Sequence, residues 1–207
     1  MKKQFLVIGA LFLVCTMAMC VNQTKLPDTF TQTYGKIETT QKEIEAIYSA
    51  YEAQVEKRIE YVEKNRSKES VDHKYVLSLL ESELLTINEL EQKNKTYSNL
   101  INDLFNASKD IKNGEIKTKA NEITLKLRNS QQYLARGTLN LKEGTQSTGQ
   151  ALYYYATGAD LNDPQIKKDI QSLNTNAKTS FDSAIIDLNN YYNLVVESNT
   201  IYQELLK

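Results

Sequence analysis

The sequence predicts an all-α protein: an elongated antiparallel up-down-up-down four-helix bundle with coiled-coil-like heptad packing, behind a short N-terminal leader. Three observations carry that expectation. Core-type residues recur in alternating steps of three and four through four long stretches, the spacing that keeps one helix face apolar. Only 7 Gly and 2 Pro fall among 207 residues, so little interrupts those stretches. The clearest turn signals, Asn113-Gly114 and Gly158 to Pro164, cut the chain into runs of similar length. Stripes joined by short connections find partners locally, which sets neighbours antiparallel and favours a monomer. The competing reading of the same heptads is an intermolecular coiled-coil oligomer.

Residues 1–20 are set apart as a targeting segment. Lys2-Lys3 precedes an uncharged apolar run, Phe5 to Met19. That run has the size of a signal-peptide core and is shorter than the about 20 residues a membrane-spanning helix needs. Both cysteines, Cys15 and Cys20, lie here, so no intramolecular disulfide can staple the remainder, and its stability must come from packing. Cys20 stands where the apolar run gives way to polar sequence, Val21 to Lys25. This junction resembles the leader of prokaryotic lipoproteins, whose mature chain begins at a lipid-bearing Cys. It departs from that pattern at Met17, where such leaders usually have Leu, and at Met19, where they have Gly, Ala or Ser. The resemblance covers the leader alone and implies lipid attachment at Cys20. Ordinary cleavage after Ala18 or Cys20, or an uncleaved anchor, are the alternatives. All three imply an exported, extracytoplasmic domain of the cell envelope, anchored to a membrane or secreted. Residues 21–28, polar and containing Pro27, read as a tether before the bundle of 29–207.

The helices follow in order. The first is expected over about 29–64, on the stripe Phe30, Tyr34, Ile37, Ile44, Tyr48, Tyr51, Val55, Ile59 and Val62. The charged run Glu63 to Ser70 is its hairpin turn. The second, about 70–112, carries Val76, Leu80, Leu84, Ile87, Leu90, Tyr97, Ile101 and Leu104, and ends before Asn113-Gly114. The third, about 115–157, carries Ala120, Ile123, Leu127, Leu134, Gly137, Leu141 and Gly144, with Gly158 as its C-terminal cap. The fourth, about 164–206, starts at Asp163-Pro164, where the carboxylate can accept first-turn N–H groups and proline suits the first helical position. Its stripe from Ile166 to Leu205 contains no Gly or Pro. A helix of roughly 42 residues is about 63 Å long. A single apolar stripe of that length needs other helices to cover it.

Folding the chain at about residues 67, 113 and 161 suggests core layers. One holds Ile44, Leu90, Gly137 and Ile185; the next holds Tyr51, Leu84, Gly144 and Ala177. In the second, two small residues would make room for Tyr51. A third layer, Gln41, Asn94, Ser130 and Tyr191, is polar and must be mutually hydrogen-bonded or hydrated if buried.

Composition argues against several function classes. Lys+Arg 25 against Asp+Glu 26 gives no reason to expect nucleic acid as a partner. His73 is the only histidine, so neither a His-based triad nor a di-iron Glu-x-x-His set can be assembled, and no Cys nucleophile follows Cys20. The reading is therefore non-catalytic, with no cofactor or metal; carboxylates such as Glu43, Glu45, Glu81 and Glu83 read as solvated helix faces and His73 as a surface residue. Lys109 to Glu143 holds eight basic and four acidic residues between acidic neighbours. Charge complementarity within the fold is the simplest account; contact with an anionic envelope polymer or lipid headgroups is the alternative.

Tyrosine is the enriched type, at 13 residues with no Trp. The topology brings Tyr61, Arg66, His73, Tyr75, Tyr153, Tyr154 and Tyr155 to the end farthest from the leader. Three consecutive tyrosines cannot all enter one core, so at least one should be exposed, and an exposed aromatic patch suits partner binding. Two functions follow as expectations. One is a membrane-tethered interaction protein or structural spacer of the cell envelope with an unidentified protein partner. The other is an extracytoplasmic small-molecule-binding sensory module working with a separate transducer.

Overall fold

The computed structural model describes residues 26–66 and 71–207. They are all-helical, with four helices and, among the described residues, no strand: α1 (Asp28–Arg66), α2 (His73–Ser108), α3 (Gly114–Ala156) and α4 (Pro164–Leu205). The leader with Cys20, most of the tether and residues 67–70 lie outside the described residues.

Local chemistry sets the ends. The Asp72 carboxylate accepts the N–H groups of Lys74 and Tyr75, so α2 begins at His73, later than the expected start near residue 70. It also stops earlier, at Ser108. The N–H groups of Lys109, Asp110 and Ile111 turn back onto Asn106, Ala107 and Ser108, and Ile111 folds into the core. Asn113 caps α3 by accepting from Glu115 and Ile116, so Gly114 is the first residue of that helix and not part of the turn. At its other end Gly158 takes φ 69°, and the Ala159 and Gly158 N–H groups reach the carbonyls of Tyr154 and Tyr155. This is the Schellman arrangement, which glycine enters without a Cβ penalty. Asp163 caps α4, with Pro164 first in the helix. Leu26, expected to be part of a tether, is 4% exposed and belongs to the core.

Cross-helix contacts fix neighbours and direction. Arg58 and Gln41 of α1 meet Glu83 and Tyr97 of α2. Ser108 and Tyr97 of α2 meet Asn121 and Ser130 of α3, while Lys119 and Arg136 of α3 meet Glu204 and Asp187 of α4. In each pair one number rises as the other falls, so successive helices run antiparallel. The basic stretch of α3 discharges onto both neighbours, through Lys142–Glu91 on one side and Lys126–Glu197 on the other. Such exposed pairs contribute about 0–1 kcal/mol each and serve register more than stability.

The four seams are unequal. Successive helices come within 8 Å between Cα atoms, whereas among the described residues α1 and α4 do so nowhere. Small residues draw α3 and α4 together. A Cβ on Gly137 would lie 2.8 Å from Leu188 Cγ, and one on Gly144 would lie 2.8 Å from the Phe181 ring. Phe181 is thus the side chain that presses on Gly144, and Gly137 faces Ala184 and Leu188 while Ile185 is half-buried. Phe181 and Leu188, which the suggested layers omitted, are the side chains nearest the two glycines, because counting residues does not say how far a ring reaches. Gly144→Val should therefore cost about 1–3 kcal/mol by overpacking. Gly149→Ala, whose Cβ would meet only Leu80 at 3.9 Å, should gain about 0.5–1 kcal/mol by removing a helical glycine. Urea midpoints of the two variants moving in opposite directions would check the assignment; a common direction would contradict it.

Candidate binding site

The α1–α4 seam is bridged by long aromatic side chains in the half nearer the chain's N-terminus. Tyr34 stacks on Tyr202 with ring centroids 3.7 Å apart, and its hydroxyl donates to Asn199 Oδ1 at 2.6 Å. Next to this lies the polar layer. Gln41 Nε2 donates to the Tyr97 hydroxyl at 3.1 Å, and Tyr97 lies 2.9 Å from Ser130 Oγ. Ser130 gives its own proton to the Leu127 carbonyl at 2.7 Å, so Tyr97 is the donor between them. Tyr97 is fully buried and is the hub the sequence reading left out of this layer. Asn94 binds Gln131 instead, and Tyr191 turns its ring edge toward Tyr97. Burial pushes the Tyr97 hydroxyl up to about 12, with its two partners pulling the other way. The chain is satisfied and inward; it is a register device without a reacting atom.

A second buried polar contact overturns an expectation. Glu83 is not a solvated carboxylate: its side chain is 0% exposed and takes two hydrogen bonds from Arg58, at 2.6 and 3.2 Å. Burial raises its pKa, and the Arg58 hydrogen bond and charge oppose that rise. Thr145 is fully buried on α3, where its side chain opposes the rise in pKa that burial gives Tyr51. Among the described residues no group of His, Cys, Asp or Glu side chains is placed to hold a metal ion. No described helix is long and apolar enough to cross a membrane.

At the end made by the α1–α2 and α3–α4 connections, the sequence-nominated residues fall into two linked pairs. Tyr61 and Tyr75 meet edge to face at 4.7 Å, and the Tyr61 hydroxyl accepts the Asp72 N–H. The His73 ring lies 5.4 Å from that of Tyr155, joining α2 to α3. His73 is half-buried, with Nδ1 enclosed and lacking a hydrogen-bond partner, which corrects its reading as a surface residue. Tyr154 turns toward α4, its hydroxyl 3.4 Å from Asp169, whereas Tyr153 is 62% exposed. Tyr75, Tyr155 and Leu161 are also exposed, and Arg66 is exposed at the last turn of α1.

Beside this end α4, with Tyr155 of α3 and Leu161 of the connection, lines a groove of about 720 Å³. Tyr155 and Leu161 form its head and Ile170 its apolar floor. Gln171, Asn174 and Thr175 line α4 between Lys167 and Lys178, with Thr179 just beyond. Seven-residue steps back from Asn199, which touches α1 through Tyr34, pass through Tyr192 and Ile185 to Lys178 and Gln171. Lys178 and Gln171 of the groove thus continue the row of α4 that carries Asn199 and Tyr192. The groove's signal in the sequence is the change along that row from Tyr192 and Ile185 to Lys178 and Gln171.

Comparisons with protein-family models, with curated proteins and with solved structures find no match.

Proposed function

We propose that this chain is a non-catalytic protein of the cell envelope, tethered to a membrane through its N-terminal segment. In this reading the four helices form an elongated, slightly supercoiled bundle that presents its Tyr-rich end to a partner. The observation that carries it is the exposure of Tyr75, Tyr153, Tyr155 and Leu161 together at one end, opposite the residue where the described chain begins. Large apolar groups gathered at one end cost solvation unless something covers them, and aromatics are the side chains that anchor interfaces. The buried polar contacts support a non-catalytic role, since they join helix to helix and none faces the groove. The groove also supports a second reading, a small-molecule-binding sensory module acting through a separate transducer.

Two measurements test the main reading. Intact mass of the protein from its native membranes should correspond to a chain beginning at Cys20 with added acyl mass; a soluble chain without acyl groups would end the tether. A photo-crosslinking residue placed at position 153 in intact cells should give one discrete protein adduct that the same probe at exposed position 125 does not. Equal labelling from both positions would remove the end as the binding surface.

A further inference from the structure

We infer that the groove beside the Tyr-rich end binds an acidic polysaccharide, a hydroxyl-rich polymer carrying carboxylates. This rests on reading that end as the binding end and names the chemistry of its partner. The argument starts from charge. The groove has Lys167 and Lys178 near its two ends, and no acidic residue lines it among the described residues. The two lysines are eleven residues apart on one helix, about 16 Å along its axis. That spacing suits an extended chain with anionic groups several units apart better than a single compact anion.

The wall between the lysines decides the class of polymer. Gln171 and Asn174 present amide groups that both donate and accept, which is what neighbouring sugar hydroxyls require, and Thr175, whose hydroxyl donates to the Gln171 carbonyl at 2.9 Å, adds an acceptor. Tyr155 at the head, 40% exposed, offers a ring face to the C–H face of a sugar. A docking amphipathic helix would need apolar holes at helical spacing. Along α4 the groove supplies only Ile170 for that purpose, so an acidic helical peptide fits the same lysines but not the wall. Lys178 also reaches Asp182 at 2.7 Å, which makes Lys167 the stronger of the two cation contacts.

The test is affinity electrophoresis of the full chain in mild detergent, through gels holding polygalacturonate, neutral dextran or polyglutamate. Polygalacturonate should retard the protein, less so as salt rises, and dextran should not. The double variant K167Q/K178Q should bind polygalacturonate about tenfold more weakly, the size expected from losing two exposed charge contacts. Both substitutions are on the surface, and an unchanged circular dichroism spectrum confirms folding. Asn174→Ala should narrow the preference for polygalacturonate over polyglutamate. Retention by polyglutamate equal to that by polygalacturonate, equal retention of the double variant, or no retention at all would each overturn the inference. These outcomes are independent of the intact-mass result, so a failed tether and a failed groove are distinguishable.

Discussion

Arg58→Ala should destabilise the fold by about 3–5 kcal/mol at neutral pH, the cost of leaving a buried charge without its partner. Glu83 is the residue stranded. It is wholly enclosed between helices and takes both of its side-chain hydrogen bonds from Arg58. Burial already raises its pKa in the intact protein, and removing the opposing guanidinium raises it further. A carboxyl group whose folded pKa is raised holds its proton in the fold at pH values where the unfolded chain has released it. Stability is therefore lost as pH rises from the unfolded value through the folded one. The deficit of Arg58→Ala should accordingly shrink as pH is lowered from 7 toward 5. The joint variant Arg58→Met, Glu83→Leu should recover most of the loss, because an apolar pair of similar volume needs no desolvation of charge. Urea unfolding of the three proteins at two pH values checks this. A single variant within about 1 kcal/mol of the wild type at pH 7 would mean that water reaches Glu83.

That pair also marks where the sequence could have been read further. Val76, Glu83, Leu90, Tyr97 and Leu104 are spaced by seven, and all are buried. Ile37, Ile44, Tyr51 and Arg58 form the matching row on α1, with the first three buried. Opposite charges at facing core positions are the signature of an internal ion pair. The neighbouring Leu84 drew attention from it because hydrophobicity was counted before position. The four helices and their order were legible because period, capping residues and the Gly158–Pro164 break act within a few residues of chain. The inequality of the seams was not, since it depends on how small residues of two distant segments meet. Gly137 and Gly144 let Leu188 and Phe181 of α4 approach α3 closely, whereas among the described residues α1 and α4 nowhere come within 8 Å between Cα atoms. The groove on α4 was not legible either, because it depends on where Tyr155 and Leu161 come to lie against that helix. The clustering of Tyr61, Tyr75, His73 and Tyr155 was accessible earlier, because it needs only hairpin topology.

Mild alkali should unfold this protein cooperatively between about pH 10 and 12, in the range where tyrosine ionises. The cause is the aromatic filling of the core. Tyr34, Tyr48, Tyr51, Tyr97 and Tyr191 are each at most 5% exposed, and burial is the largest influence on all of them, raising the pKa in every case. For Tyr51 and Tyr97 the rise is to about 12; the other three go higher. Below about pH 10 both states are protonated at these positions and stability is independent of them. Above it the unfolded chain releases protons that the fold retains, so stability falls as pH rises. Each group contributes up to about 1.4 kcal/mol per pH unit, and five together remove about 6–7 kcal/mol by pH 11. A loss of that size is comparable with the whole stability of a typical domain, about 5–15 kcal/mol. The part of the tyrosinate absorbance that comes from these five buried hydroxyls should then appear together with the loss of far-ultraviolet circular dichroism, in one transition. Ionisation of the larger part of the tyrosines near pH 10 with the helical signal intact would show that the seams admit solvent. The closed α1–α4 contact through Tyr34 and Tyr202 would be the first element of the fold to be revised.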